Sequence, residues 1–255
     1  MKIAVCVKQA VDETELKAGP GGAPILAGAA TKVSAFDKNA VEEALRIKAA
    51  SGAEVAVLTV GPADARKSMK EALAMGADRG VLAVADTASL DSSAVSAILA
   101  AAVTKHGPFD LVLCSEGASD TYCGQVPSML AERLGWAHAS YARKISVRPG
   151  SVVAERALED SVEEVECPLP AVMSVVSEIN EPRYPTLIQI MQAGKKPVEE
   201  ATPQQLGLDG VIPLVKVESM SSQPTNRKRV MIEGSPDEAA AKLLEHLRSE
   251  GAVPR

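Results

Sequence analysis

The chain has 255 residues, of which 46% are hydrophobic, 24% charged and only 2% aromatic, with a formal net charge of -6. That length supports one large domain, or one domain plus an appendage, with a core built from Ala, Val, Leu, Ile and Met rather than from rings. The acidic balance gives no electrostatic footprint for nucleic acid, no apolar run reaches the roughly 18 residues of a membrane helix, and disorder over the whole length is excluded. The start, Met1–Lys8, is too short for a signal peptide. Cys6, Cys114, Cys123 and Cys167 show no CxxC spacing, and His106, His138 and His246 stand apart from one another. Neither a disulfide framework nor a metal site is expected, and a cytoplasmic setting fits.

The first half alternates strand and helix. Lys2–Lys8 is a short β-branched apolar run and predicts a buried strand. The Gly/Pro/Ala-rich stretch Ala18–Ala30 predicts a loop. Phe36–Ala50 predicts a helix with Val41, Ala44, Leu45 and Ala49 inward and Glu42, Glu43 and Arg46 outward, ended by Gly52. Glu54–Val60 predicts a second strand, closed by Gly61-Pro62, and Ala63–Met75 a second helix, with Gly76 at a left-handed C-cap. Gly80–Val84, Asp91–His106, Asp110–Cys114 and Gln125–Leu134 then predict strand, helix, strand and helix, Pro127 being tolerated in a first turn. This order predicts an α/β fold: a Rossmann-like parallel sheet covered by helices on both faces.

The pattern then changes. Tyr141–Val147, Ser151–Ala157 and Glu163–Cys167 alternate over short spans and predict an antiparallel extension, and Ala171–Val176 a return to the buried sheet. Beyond Val198 the chain reads as polar and irregular until Ser235–Glu250, a helix opened by the capping box Ser235/Glu238 with an apolar stripe of Ala240, Leu243, Leu244 and Leu247. The expected division is a nucleotide-binding domain over residues 1–200 and a linker with a C-terminal helical arm over 201–255. The stripe either packs back on its own domain or reaches a partner subunit.

Ligands of an open parallel sheet bind beyond the carboxyl ends of its strands, where the strand order reverses. Three such ends are readable: Cys6-Val7-Lys8, Val60-Gly61-Pro62 and Ser115-Glu116-Gly117. The last leads through Ala118, Ser119, Asp120, Thr121, Tyr122, Cys123 and Gly124 to Gln125 and Val126, a small polar segment that opens a helix. Free backbone N–H groups there suit a phosphate, and a plain capped loop is the competing reading. The P-loop and GxGxxG fingerprints are missing, which removes support from ATP hydrolysis and hydride transfer. Asp120 fits either a ribose contact or a helix cap. Cys6 and Cys114 read as packing residues at strand ends, and Cys123 as a reactive thiol or a small filler. Further on, Asn180-Glu181-Pro182-Arg183-Tyr184-Pro185-Thr186 is held extended by two prolines, ahead of apolar Leu187–Met191 and basic Lys195-Lys196-Pro197. That pattern fits a docking knob or a buried helical turn.

Asn180–Pro197, NEPRYPTLIQIMQAGKKP, closely resembles a segment of the β subunits of electron transfer flavoproteins. Ala40–Leu45 (AVEEAL), Glu71–Gly80 (EALAMGADRG) and Leu169–Val172 (LPAV) match that family in the same order, over roughly residues 1–200, with a weaker match in the terminal helix. The resemblance implies a Rossmann-like β subunit paired with a larger α subunit that holds most of the redox FAD, while the β subunit buries a structural AMP. Carried over by position, the AMP site takes Cys6; Ser34, Ala35, Phe36 and Asp37; Val60; and Ser115, Glu116, Gly117, Ala118, Ser119, Asp120, Thr121, Tyr122, Cys123, Gly124, Gln125 and Val126. Leu187 matches the leucine that anchors the dehydrogenase, and Glu155, Glu159 and Glu163 are candidates for a carboxylate facing the partner.

This sequence departs from the family at Ser34-Ala35, where many members have Asn-Pro, and at Thr121-Tyr122-Cys123, where many read Asn-Gln-Thr. It also departs at Glu13, often aromatic and close to the flavin. Gln125-Val126 is shared with electron-bifurcating members that bind a second FAD in place of AMP and take electrons from NADH. The implied function is an electron carrier, not a stand-alone enzyme and without catalytic residues of its own. It would take electrons from a flavin-dependent dehydrogenase of the acyl-CoA type, as in fatty acid oxidation, and pass them to a membrane quinone oxidoreductase. A non-redox adenine-nucleotide regulator of the same fold is the remaining alternative.

Overall fold

The structure is a computed structural model that describes residues 1–221 and 228–253. Residues 222–227 and 254–255 of the expected linker and arm lie outside the described residues. In chain order the elements are β1 (Lys2–Cys6), β2 (Gln9–Val11), β3 (Lys17–Ala18), β4 (Pro24–Ile25), β5 (Thr31–Val33), α1 (Ala35–Ser51), β6 (Glu54–Gly61), α2 (Arg66–Met75), β7 (Arg79–Val84) and α3 (Ser92–His106). They continue with β8 (Leu111–Ser115), α4 (Val126–Leu134), β9 (Ala137–Arg148), β10 (Ser151–Ala157), β11 (Val162–Pro168), β12 (Ala171–Val175), α5 (Leu187–Ala193), β13 (Val198–Ala201) and α6 (Pro236–Ser249).

Nine strands form one sheet in the order β11-β10-β9-β12-β8-β1-β6-β7-β13. From β13 across to β9 every pairing is parallel, and β10 and β11 are added antiparallel. Strand alternation divides the core. Ile3, Val5, Val55 and Val57 face α1 and α2, while Ala4, Cys6, Ala56 and Leu58 face α3 and α4. The α/β class and the Rossmann-like sheet are as the alternation of elements predicts.

Several local expectations are corrected. The first strand ends at Cys6, not Lys8, because the Lys8 N–H leaves the ladder to donate to Asp37 Oδ2 at 2.6 Å. The stretch Ala18–Ala30 holds part of a small hairpin, β3 against β4, and β5 follows it to pair with β2. The first extension strand starts at Ala137, and its opening turns pair with β12 in parallel before it turns antiparallel to β10. The chain after Val198 is not irregular at once: β13 runs beside β7 in register, Val198 opposite Gly80. Ala201 and Leu206 pack into the α3/α4 core. Gly76 ends α2 at φ 140°, positive but outside the left-handed helical region. Glu42 and Glu43, expected to face solvent, are buried.

The burial of Glu42 and Glu43 is caused by a distant segment of the chain. Arg183 grips Glu42 with Nε at 2.7 Å and Nη2 at 3.0 Å, a bidentate pair, and Asn180 Nδ2 donates to Glu43 Oε2 at 3.1 Å. Asn39 Nδ2 donates to the carbonyls of Ser177 and Asn180, and Asn180 Nδ2 returns a bond to Asn39 O at 3.0 Å. The segment before α5 is a strap laid across α1. Lys196, on the far side of α5, donates to Leu73 O at 2.8 Å and Ala77 O at 2.6 Å, closing the carboxyl end of α2.

Candidate functional site

The chain runs outward from β1 to β6 and β7 in one direction, then returns to place β8 on the other side of β1. The reversal falls between β1 and β8, so the crevice there is where a ligand of such a sheet binds. Its walls are the residues after β1, the start of α1 and the segment from Ser115 to Val126. Cys6, Ser34, Asp37, Val60 and Ser115 are buried. Gly117 is buried too, Phe36, Glu116, Ala118, Ser119, Asp120, Gly124 and Val126 are partly so, and Ala35, Thr121, Tyr122, Cys123 and Gln125 lie at the open side.

The hydrogen bonds tie these pieces together. Asp37 Oδ2 accepts from Lys8 N, and Ser115 Oγ contacts Asp37 Oδ1. Ser115 Oγ also lies 2.9 Å from Gly117 O. Burial pushes the Asp37 carboxyl up to about 7, against the opposing pull of these bonds and of the Lys8 charge. Ser34 does not cap α1 with its side chain; its Oγ accepts from Ser119 N at 3.2 Å instead. Ser119 Oγ is buried, and no group among the described residues lies within hydrogen-bond distance of it. Asp120 neither caps α4 nor stands free: it pairs with Lys8 Nζ at 2.7 Å. Lys8 lies in one of the three strand ends readable from the sequence but is absent from the carried-over AMP set; its charge directly after a buried strand is the signal that marks it.

Tyr122 adopts φ 46° and sets its ring edge-on to Phe36, centroids 5.4 Å apart. Partial desolvation and a hydrogen bond with Glu116 raise its phenol above the ordinary range. At Gly117 a Cβ would stand 2.8 Å from the Tyr122 ring, so a larger residue there would have to push that ring aside. Glu116 reaches across to accept from Ser177 N at 3.2 Å, joining the crevice to the strap. α4 opens without a side-chain cap, leaving backbone donors available. The pattern-derived crevice is therefore assembled, with a floor carboxyl, a paired lysine and an orphaned hydroxyl.

A second feature stands apart from it. Tyr184 is 93% exposed and Leu187 73%, with Ile188 and Met191 also in solvent. α5 is seated on α2 and held by a Thr186/Gln189 capping box. The knob reading of Leu187–Met191 matches this exposure, and the buried-turn reading does not. In the antiparallel extension Glu155 pairs with Arg143 and Glu163 with Arg156. Glu159, in the turn after β10, has no ion-pair partner among the described residues.

Sequence comparison meets this geometry directly. A family model described as "Electron transfer flavoprotein domain" matches residues 25–206. The chain belongs to the electron transfer flavoprotein β-subunit family. It is 34% identical to the electron transfer flavoprotein subunit beta of Thermoanaerobacterium thermosaccharolyticum, across 99% of this chain and all of the relative. It is 35% identical to that of Bradyrhizobium diazoefficiens over the same shares, and 35% identical to the mitochondrial subunit beta of Oryza sativa subsp. indica. Two family-like motifs of this chain, AVEEAL and NEPRYP, are thus physical partners: the first supplies the carboxylates that the second covers. No helix among the described residues is long and apolar enough to cross a membrane.

Proposed function

We propose that this chain is the β subunit of a heterodimeric electron transfer flavoprotein, a carrier between flavin-dependent dehydrogenases and a quinone oxidoreductase. The observation that carries this reading is the pairing of one switch-point crevice with one exposed apolar knob, α5, seated on α2 of the same fold. The crevice suits AMP. Its buried Ser119 hydroxyl lacks a partner, the uncapped start of α4 offers donors, and Phe36 and Tyr122 offer ring faces and edges to a base. Lys8 and Ser34 fix the segment that would close over the nucleotide. FAD, held mainly by the α subunit, would supply the electron-carrying chemistry.

This chain's own part is positioning. The strap holds α5 so that Leu187 can enter a pocket on a dehydrogenase of the acyl-CoA type, while the sheet keeps the flavin-bearing partner in register. Glu159, being unpaired, is the carboxylate best placed to face that partner. The helical arm, whose stripe stays uncovered, would close on the α subunit, and a cytoplasmic location fits a chain of this kind.

Mass spectrometry of the nucleotides released from the purified heterodimer tests the assignment. One AMP and one FAD per heterodimer is the expected result. Two FAD and no AMP would replace it with the bifurcating form using NADH, a reading that rests on Gln125-Val126 at the start of α4.

A further inference from the structure

The floor of the crevice carries one proton too few for its acceptors. Ser115 has a single hydroxyl hydrogen and two oxygens facing it, Asp37 Oδ1 and Gly117 O at 2.9 Å. Asp37 Oδ2 is already occupied by the Lys8 N–H. When Asp37 is ionised, the Ser115 hydrogen goes to Oδ1 and the Gly117 carbonyl loses its donor. When Asp37 is protonated, the oxygen left free by the Lys8 N–H, Oδ1, is the one whose proton finds an acceptor in Ser115 Oγ. The Ser115 hydrogen then swings to Gly117 O. Both bonds are then made, and the change is delivered to the first residue of the ligand segment.

The charges point the same way. The groups facing Asp37 are Lys8 and Asp120 from the loops after β1 and β8, and the Cys114 thiol, which burial and Cys6 keep neutral. Glu116 is turned to Ser177 N. Lys8 and Asp120 cancel at 2.7 Å. An ionised Asp37 therefore leaves the floor with one uncompensated negative charge, and a protonated Asp37 leaves it neutral. An anionic nucleotide favours the neutral floor.

We propose that Asp37 is a proton-linked positioning residue: it takes one proton from solvent when a nucleotide anion enters the crevice, and passes the change through Ser115 to Gly117 and the segment behind it. This rests on the nucleotide reading of the site. Linkage then requires affinity to fall as pH rises through the Asp37 titration, by up to about tenfold per pH unit above it.

The test uses the heterodimer stripped of its AMP, with AMP added back. Titration calorimetry from pH 6 to 8.5, in buffers of differing ionisation heat, should show proton uptake by the wild type. Asp37→Asn, which can still accept from Lys8 N and donate to Ser115, should lose the pH-dependent part. The phosphate's own titration is common to both proteins and cancels. Identical pH profiles for wild type and Asp37→Asn would overturn the proposal. Amide shifts of Gly117 to Ser119 give a readout that needs no ligand. They should titrate with the Asp37 carboxyl in the wild type and stay flat in Asp37→Asn. In Ser115→Ala the carboxyl should titrate while the amides do not follow. Amides that ignore Asp37 in the wild type would sink the relay. Absence of AMP binding at every pH, with co-titrating amides, would strike the nucleotide reading and the proton-uptake step that depends on it, and leave the relay standing.

Discussion

Single side chains in this protein divide between those that hold the frame and those that wait for something outside it. Leu187 is of the second kind. Because 73% of it is exposed, Leu187→Ala should leave unfolding free energy within about 0.5 kcal/mol of wild type. It should slow electron transfer from the dehydrogenase by roughly tenfold or more, as loss of an anchor does; stopped-flow reduction of the heterodimer by its donor measures this. Asp37 belongs to both kinds, and its part in the frame has a pH signature of its own. Its native carboxyl titrates at about 7, above an unfolded value near 3.9. The native state therefore holds its proton more tightly, and the stability this gives is complete below about pH 4 and lost as pH rises to about 7. The melting temperature of Asp37→Asn relative to wild type should climb through that window and level off above it, read by calorimetric scans at several pH values. Single residues also mark where sequence reading is weakest. Helical spacing puts Glu42 and Glu43 on the outer face of α1, and that face is covered by residues about 140 positions later. No local pattern carries such information.

Among the elements, long apolar strands and periodic helices are legible and short edge pieces are not. β6 and β8 are buried along nearly their whole length, and an uninterrupted apolar run is the signature of a strand covered on both faces. β13 is four residues with two exposed glutamates, and only its register against β7 makes it a strand. The strap before α5 was readable as extended from its prolines, yet its role as a cover for α1 was not. Its hold depends on the reciprocal Asn39–Asn180 bonds. Asn180→Ala should leave the Asn39 carbonyl and Glu43 short of a donor and cost about 1–3 kcal/mol. Hydrogen exchange should rise first in α5, and urea denaturation should give the size of the loss. Unchanged exchange in α5 would show that the Arg183–Glu42 clamp suffices alone.

For the whole molecule, strand order decides where the ligand segment lies. Alternation alone makes the three strand ends readable, but not the strand order that puts the reversal between β1 and β8. The family likeness supplied what pattern could not, namely Ser34 to Asp37 as the opposite wall. The C-terminal helix behaves differently from the body. None of its residues is buried, and Leu243, Leu244 and Leu247 remain in solvent. Before it the chain is tied to the body where Asp91, which caps α3 through Ala94 N, also accepts from Leu214 N and Val215 N. Removing the chain from Ser235 onward should not move the body's thermal midpoint, and should weaken heterodimer assembly by at least about tenfold. Analytical ultracentrifugation of both forms with the α subunit checks both halves of that statement.

The route from Asp91 to α6 leaves Ile212, Leu214, Val215, Val217 and Met231 largely in water. Such side chains stick to one another when nothing else shields them. A chain synthesised without its counterpart would therefore be prone to clumping. A cell that makes the two polypeptides together, in matched amounts, avoids that hazard.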